Sequence, residues 1–529
     1  MILEKKIFST YTHILLIFFL ALIVNQYFGN RGIFPIDSFS HFDTGFRVLK
    51  GEYPFKDYWV VSGPFVDIFQ SFLFSIFGVS WQSYILNGSI INGLVAALSF
   101  KLFTELGLEK KVSYFYCLSI AVLAYPVSAT PFVDLHSTYL SLIAIIFLFF
   151  GLTSNKNIYF FYIPIFLFLA FLSKQVPAFY IFLSILLVLI YNFILVDLKQ
   201  SLKIFKILIL STIVSLLSFF IFFYLKEIKF QSFIDQYLNY PREIGGTRYL
   251  DLNYDFKNLF LDFKFIHLIF ALYLGVIIYK LIKFKNFYKT YNFSFFLICL
   301  FLLVSLIQHQ LVTKNQIFIF FLIPFFSALV HLELKSLNID KKKLLINLLF
   351  IFCLFVTFKY GLRFNIERKF HELNNVDFSN SVKASIIDHK FNGLNWITPN
   401  KTNKKEVLAE IENIKEVIDI LKNDKENKMV ITNFSFFSVI LNDSQNSISR
   451  WYPGDISAFP DKNSKFFKNY RELFIKNIVN KKILSIYLLK DVDEKEITNH
   501  ISPSCLNKTN ISDFLVKFSI NYNCLDFNR

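Results

Sequence analysis

"YIFLSILLVLIYNFILV", residues Tyr180–Val196, runs for seventeen positions without a charged side chain. An apolar stretch near 20 residues matches the hydrocarbon thickness of a bilayer and predicts a transmembrane helix. Similar runs stand at 14–24 (ILLIFFLALIV), 93–103 (GLVAALSFKLF) and 293–307 (FSFFLICLFLLVSLI). The 529-residue chain is 54% hydrophobic and holds 70 phenylalanines, far above a soluble norm. It reads as a polytopic α-helical membrane protein. About eleven spans are predicted, near 7–25, 82–104, 112–126, 138–153, 158–172, 176–196, 207–224, 264–282, 293–308, 316–332 and 344–361. The first lacks a small-residue cleavage site, since VNQYFGN follows it, and reads as a retained helix. The shorter piece 64–77, PFVDIFQSFLFSIF, carries Asp67 and predicts a helix lying along the interface.

Basic residues set the orientation. With Lys5 and Lys6 in the cytoplasm, alternation places Lys110, Lys111, Lys203, Lys206, Lys283 and Lys342 on the same side, and the short loops there are the lysine-dense ones. The opposite orientation inverts that bias. The reading is a plasma (inner) membrane protein with a cytoplasmic N-terminus. Residues 1–361 form the transmembrane domain, with a first outer loop at 26–81. Residues 362–529 are polar and read as a soluble extracytoplasmic domain, periplasmic or extracellular. Within it, KEVLAEIENIKEVIDILKND (405–424) has helical spacing and KMVITNF (428–434) reads as a strand. A further helix and strand follow in 469–489, which predicts a small α/β or α+β fold.

The net charge of +16 does not argue for nucleic acid, because the lysines gather between spans. Membrane lipids are their expected neighbours. Five cysteines follow no metal spacing; Cys505 and Cys524 can pair on an oxidising side, and the sequence leaves that open. No phosphate-cradling Gly-Lys loop, GxSxG elbow, HExxH or CxxC is present, so nucleotide-driven pumping has no support.

Four groups of side chains can carry chemistry. Asp37 and Asp43 stand in the first outer loop among Gly51, Pro54, Gly63 and Pro64, more turn-formers than a mere connector needs. Asp134 and His136, in PFVDLHST, sit at the outer end of a span. They suit a metal, a sugar or a phosphate-linked partner, and equally a helix cap. Lys174 and Gln175, in FLSKQVPAFY, stand between apolar runs with no acidic neighbour in sequence, and Lys314 in QLVTKNQIF repeats the pattern. Such lysines either snorkel or hold an anion. Arg242 and Arg248 flank a Gly-Gly hinge in YPREIGGTRYLDL. They either clamp a phosphate bidentately or are solvated.

These residues resemble a known family. The order "ID" (Asp37), GEYPFKDYW, a Gly-Pro break and FSIFG before the next span is similar to the first extracytoplasmic loop of GT-C glycosyltransferases. The likeness is to the bacterial branch related to protein O-mannosyltransferases and the lipid A aminoarabinose transferase. LSKQV and TKNQIFIFFLIP resemble that family's lysines at later span ends, and the likeness covers roughly residues 1–330. It implies a GT-C-like fold and an inverting transfer of a hexosyl or pentosyl group. The donor is a polyprenyl-phosphate-linked sugar and the acceptor a hydroxyl on a lipid, glycan or protein. The resemblance implies Asp37 as general base, with Asp43 as alternative. Asp134 orients the acceptor or binds a cation, and Lys174, Lys314 or an arginine supports the leaving phosphate. No cofactor is required; a divalent cation (Mg or Mn) on Asp37 or Asp134 is left open. The competing readings are a flippase or exporter of lipid-linked sugars, an O-antigen polymerase or ligase, and a membrane scaffold.

Overall fold

The computed structural model describes residues 2–154, 156–195, 198–250, 252–313, 319–338 and 340–524, with side chains from Tyr11 onward and excepting 198–200. The chain forms two compact units, each discontinuous in sequence. One comprises Met1–Gly29, Ile85–Phe220 and Arg248–Phe370; the other comprises Asn30–Tyr84, Ile221–Thr247 and His371–Arg529.

The first unit is helical. A helix forms at each of the eleven apolar runs, and among the described residues eight helices are long and apolar enough to cross a membrane: Tyr11–Gly29, Trp81–Glu105, Val133–Ser154, Gln175–Leu195, Ser201–Leu225, Lys264–Lys283, Tyr291–Thr313 and Lys342–His371. The other three, Lys110–Leu123, Asn157–Phe171 and Leu322–Ser336, have 14 or 15 residues. One cause is plain: after Leu123 the backbone turns into a 3-10 segment, Tyr125–Val127, whose Pro126 cannot continue an α-helix. Val133–Ser154 is wholly buried up to Leu152 and forms the axis, flanked by Asn157–Phe171 and Gln175–Leu195. Along Ser201–Leu225, by contrast, Ile209, Leu210, Ile213 and Leu217 are exposed, a face that only an apolar solvent accommodates. Buried amides tie helices together, as where Asn92 Nδ2 donates to the carbonyls of Ala21 (2.9 Å) and Ala121 (3.1 Å).

The second unit is mixed. Its main sheet has the order β3-β4-β6-β5, with β3 (Lys428–Ile431) parallel to β4 (Ser485–Leu489) and β6 (Leu515–Ile520) antiparallel to both β4 and β5 (Leu506–Asn510). A two-stranded pair, β1 (Val382–Lys383) and β2 (Asn395–Trp396), lies apart from it. β3 and β4 are buried throughout, whereas β5 is a polar, exposed edge, which discourages pairing with another chain. Lys404–Asn423 places Val407, Ile411, Ile414, Val417 and Leu421 on one buried stripe, and its N-cap Asn403 accepts a hydrogen bond from the Glu406 amide. The helix and strand readings of 405–424, 428–434 and 469–489 agree with these elements. Cys505 and Cys524 form a disulfide.

The loop read from the sequence as the first outer one belongs, from Asn30 on, to this second unit. The Trp59 amide donates to the Ile448 carbonyl (2.8 Å) and the Ile33 amide to that of Ile397 (3.0 Å). Phe39 packs against Trp81, Phe391, Trp396 and Phe436. Phe65–Phe77 buries Val66, Asp67, Gln70, Leu73 and Phe74 and exposes Phe72, Ile76 and Phe77. That two-sidedness is what an interfacial helix requires.

Candidate active site

In the first unit three charged or polar side chains converge from three separate helices or turns. Asp134 lies in the first turn of Val133–Ser154 and is 2% exposed. Lys174 sits in the turn ahead of Gln175–Leu195, and its Nζ lies 2.7 Å from each Asp134 carboxylate oxygen. His309, near the end of Tyr291–Thr313, donates from Nε2 to Asp134 Oδ1 at 2.8 Å. One turn past Asp134, Ser137 Oγ donates to the Lys174 carbonyl at 3.0 Å, so one helix end holds both the head and the backbone of this lysine. Because Nε2–H is spent on the carboxylate, the neutral ring presents Nδ1 as an acceptor, and Nδ1 is buried with no partner among the described residues.

His136 is two residues from Asp134 but serves a different contact. Its Nδ1 is 2.6 Å from the Tyr125 hydroxyl and its Nε2 2.7 Å from Asn87 Oδ1, all buried. Gln175 is half-buried beside Lys174. Lys314 lies outside the described residues. Of the sequence-predicted residues, then, Asp134 and Lys174 meet, and His136 stands apart. His309 was missed; its signal was a histidine at the end of an apolar run, in QHQLVTKN, the same kind of signal that marked Lys174.

In the second unit Asp37 is half-buried in the single turn Pro35–Ser38. Asp43 is buried on Ser40–Leu49, 4.0 Å from Arg47. Burial pushes its carboxyl up, against the opposing pull of Arg47 and of the Ser438 hydroxyl. Arg47 Nε donates to Glu52 Oε2 at 2.6 Å, and Glu52 also pairs with Lys481. Burial would raise the Glu52 carboxyl, but these two cations outweigh it and hold it at about 2.

Asp67 anchors a neighbouring network that sequence reading did not assign. Its Oδ1 accepts from Thr44 Oγ1 (2.7 Å) and sits 2.7 Å from His41 Nδ1. Its Oδ2 accepts from Arg450 Nη2 (2.5 Å) and from the Tyr58 hydroxyl (3.3 Å). Arg450 also donates to Ser62 Oγ. Burial acts to raise the Asp67 carboxyl, and Arg450 with the His41 and Thr44 hydrogen bonds brings it down to about 2. A fully sealed carboxylate with four donors is a framework element rather than a reacting group.

Arg242 is exposed, and Arg248 is half-buried. The Gly-Gly pair between them is not a hinge: Tyr240–Leu250 runs as a helix through Gly245 and Gly246. Among the described residues no three His, Cys, Asp or Glu side chains gather as a metal ion needs. The Asp134 oxygens are taken up by an ammonium and an imidazole N–H, the donor set of an ion pair rather than of a cation site.

No family model matches the chain. No curated protein matches it either. Among solved structures it is similar to the crystal structure of ArnT from Cupriavidus metallidurans bound to undecaprenyl phosphate, at 10% sequence identity over 97% of this chain and 98% of that one, with a TM-score of 0.48. A likeness at that level assigns no residue and no activity to this chain.

Proposed function

We propose that this protein is a membrane glycosyltransferase that moves a sugar, with inversion, from a polyprenyl-phosphate donor to a hydroxyl acceptor on the outer face of the membrane. The observation that carries the reading is the Asp134–Lys174–His309 cluster at the ends of apolar helices. Charges are costly beside lipid and are kept where a polar ligand needs them. Asp134 neutralises and aims Lys174, whose side chain remains about a quarter exposed and can meet a phosphate. Charge developing on the departing lipid phosphate is met by that ammonium and by the Arg248 guanidinium. The resemblance of the first outer loop to GT-C enzymes supplies the reaction class, and the disulfide suits an oxidising, extracytoplasmic side for the second unit.

A carboxylate is still needed to take the acceptor hydroxyl's proton as that oxygen attacks the anomeric carbon. Asp37 fits better than Asp43, because Asp43 is buried and faces Arg47 whereas Asp37 is only half-buried. The test is Asp37→Asn in membranes supplied with a polyprenyl-phosphate sugar. Lost transfer with unchanged donor binding supports the base role, and full activity rejects it. Sugar crossing the bilayer with no new glycosidic bond favours a flippase instead.

A further inference from the structure

The second unit contains a cleft of about 310 Å³ that none of the residues above explains. Two helical faces form its walls. Ser232, Asp235 and Gln236 line it from one segment and Asn469, Glu472 and Lys476 from the helix Phe467–Asn480, both at helical spacing, so each set projects from one face. Phe55 and Trp59 close the floor.

The floor is fixed while the walls are available. Gln236 is buried, accepting from the Val60 amide (3.1 Å) and donating to the Phe55 carbonyl (3.3 Å). Asp235 Oδ1 accepts from Gln231 and Asn239, and no hydrogen bond uses Oδ2 among the described residues. Asn469, Glu472, Lys476 and Lys229 are exposed, and their side chains have no hydrogen-bond or ion-pair partner among the described residues.

Charge decides the ligand class. Lys56, Lys229 and Lys476 are balanced by Glu227, Asp235 and Glu472, so the lining carries no net charge that would select a phosphate or an acidic peptide. It offers instead many neutral and charged donors and acceptors, close together, in a volume at the small end of ligand pockets. We propose that this cleft binds a saccharide through its hydroxyl groups. The proposal goes beyond the transfer reading, and its test involves no turnover.

The experiment uses the full chain in detergent micelles. Saturation-transfer NMR is recorded with methyl glycosides of glucose, galactose, mannose and N-acetylglucosamine, and inorganic pyrophosphate is titrated in parallel. At least one glycoside should receive saturation, and the double variant Asn469→Ala/Glu472→Ala, exposed enough to leave the fold intact, should weaken it about tenfold, the loss of one good hydrogen bond. Saturation of no glycoside overturns the proposal, as does glycoside binding untouched by the double variant. Pyrophosphate binding abolished by Lys229→Ala/Lys476→Ala, with no glycoside bound, also overturns it and makes the cleft an anion site. A failed Asp37→Asn transfer test leaves these outcomes unaffected.

Discussion

Arg450 Nη2 lies 2.5 Å from Asp67 Oδ2, and both side chains are sealed from solvent, although 383 residues separate them along the chain. This pair joins the segment Asn30–Tyr84 to the C-terminal region. Removing one partner of a buried ion pair strands the other charge, at a cost of about 3–5 kcal/mol. Arg450→Met should therefore destabilise the second unit strongly, and Asp67→Asn/Arg450→Met should recover part of the loss. The readout is available because all four tryptophans, Trp59, Trp81, Trp396 and Trp451, belong to that unit. Urea unfolding followed by tryptophan fluorescence measures it, and strictly additive single losses would contradict the pairing.

Acid should unfold the same unit. Asp67 and Glu52 are held at about 2, below ordinary values of 3.8 and 4.5. Above those ordinary values both are charged in either state, and their stabilisation is fully present. As pH falls through them the unfolded chain takes up protons first, and stability is lost until the folded carboxyls also protonate near pH 2. The expected loss is on the order of 2–3 kcal/mol per group between about pH 4.5 and 2. Tryptophan-detected unfolding across that window, compared with Glu52→Gln, checks it.

Asp491 works in the opposite sense. It lies just beyond β4, where it accepts from the Asn433 amide (2.7 Å) and the Thr432 hydroxyl (3.1 Å), yet burial prevails and pushes it up to about 6. A raised carboxyl favours the folded state only while protonated, so its contribution declines as pH rises from about 4 to 6. Asp491→Asn removes that slope. The stability of the variant relative to the native chain should grow by on the order of 3 kcal/mol over this interval and stay constant above it. A difference that is flat with pH would refute the assignment.

The disulfide gives a redox prediction. Cys505 and Cys524 are separated by 19 residues, a loop whose closure restricts the unfolded chain by about 3 kcal/mol. Reduction, or Cys505→Ser, should lower the urea midpoint of the tryptophan transition, and Cys117→Ser, at a free buried thiol in the first unit, should not change its response to reductant.

What the sequence showed depended on how far apart the partners were. Hydropathy is read along the chain, so the helical runs were legible, although a run alone does not reveal where Pro126 will end a helix short. Asp134 and Lys174 were legible because a charge at the edge of an apolar run is visible by itself. Asp67 gave the same signal inside PFVDIFQ, but its partner Arg450 carries none, and nothing local links the two. The same limit hid the division of the chain. A boundary at 361/362 follows the change in polarity, whereas the compact units follow contacts such as Trp59 with Ile448, which no one-dimensional pattern records.

Lys174 offers the sharpest test of the transfer reading, since two roles for it predict different double variants. If its ammonium supports the departing phosphate, Lys174→Met removes an interaction that strengthens in the transition state. Turnover at saturating donor should then fall by about 10²–10³-fold, with a smaller change in donor affinity. Adding Asp134→Asn would not restore it, because neutralising the stranded carboxylate supplies no cation. If Lys174 only neutralises Asp134, the single variant fails because it leaves a buried anion, and Asp134→Asn/Lys174→Met should regain most of the activity. His309 separates the cases further. His309→Gln retains a donor for Asp134 Oδ1 but not the imidazole Nδ1 acceptor, so a lost pH dependence in that variant alone would move the proton-handling role from Asp37 to His309. Single-turnover rates and donor binding measured on these three variants decide between a lysine that acts on the substrate and one that only steadies its neighbour.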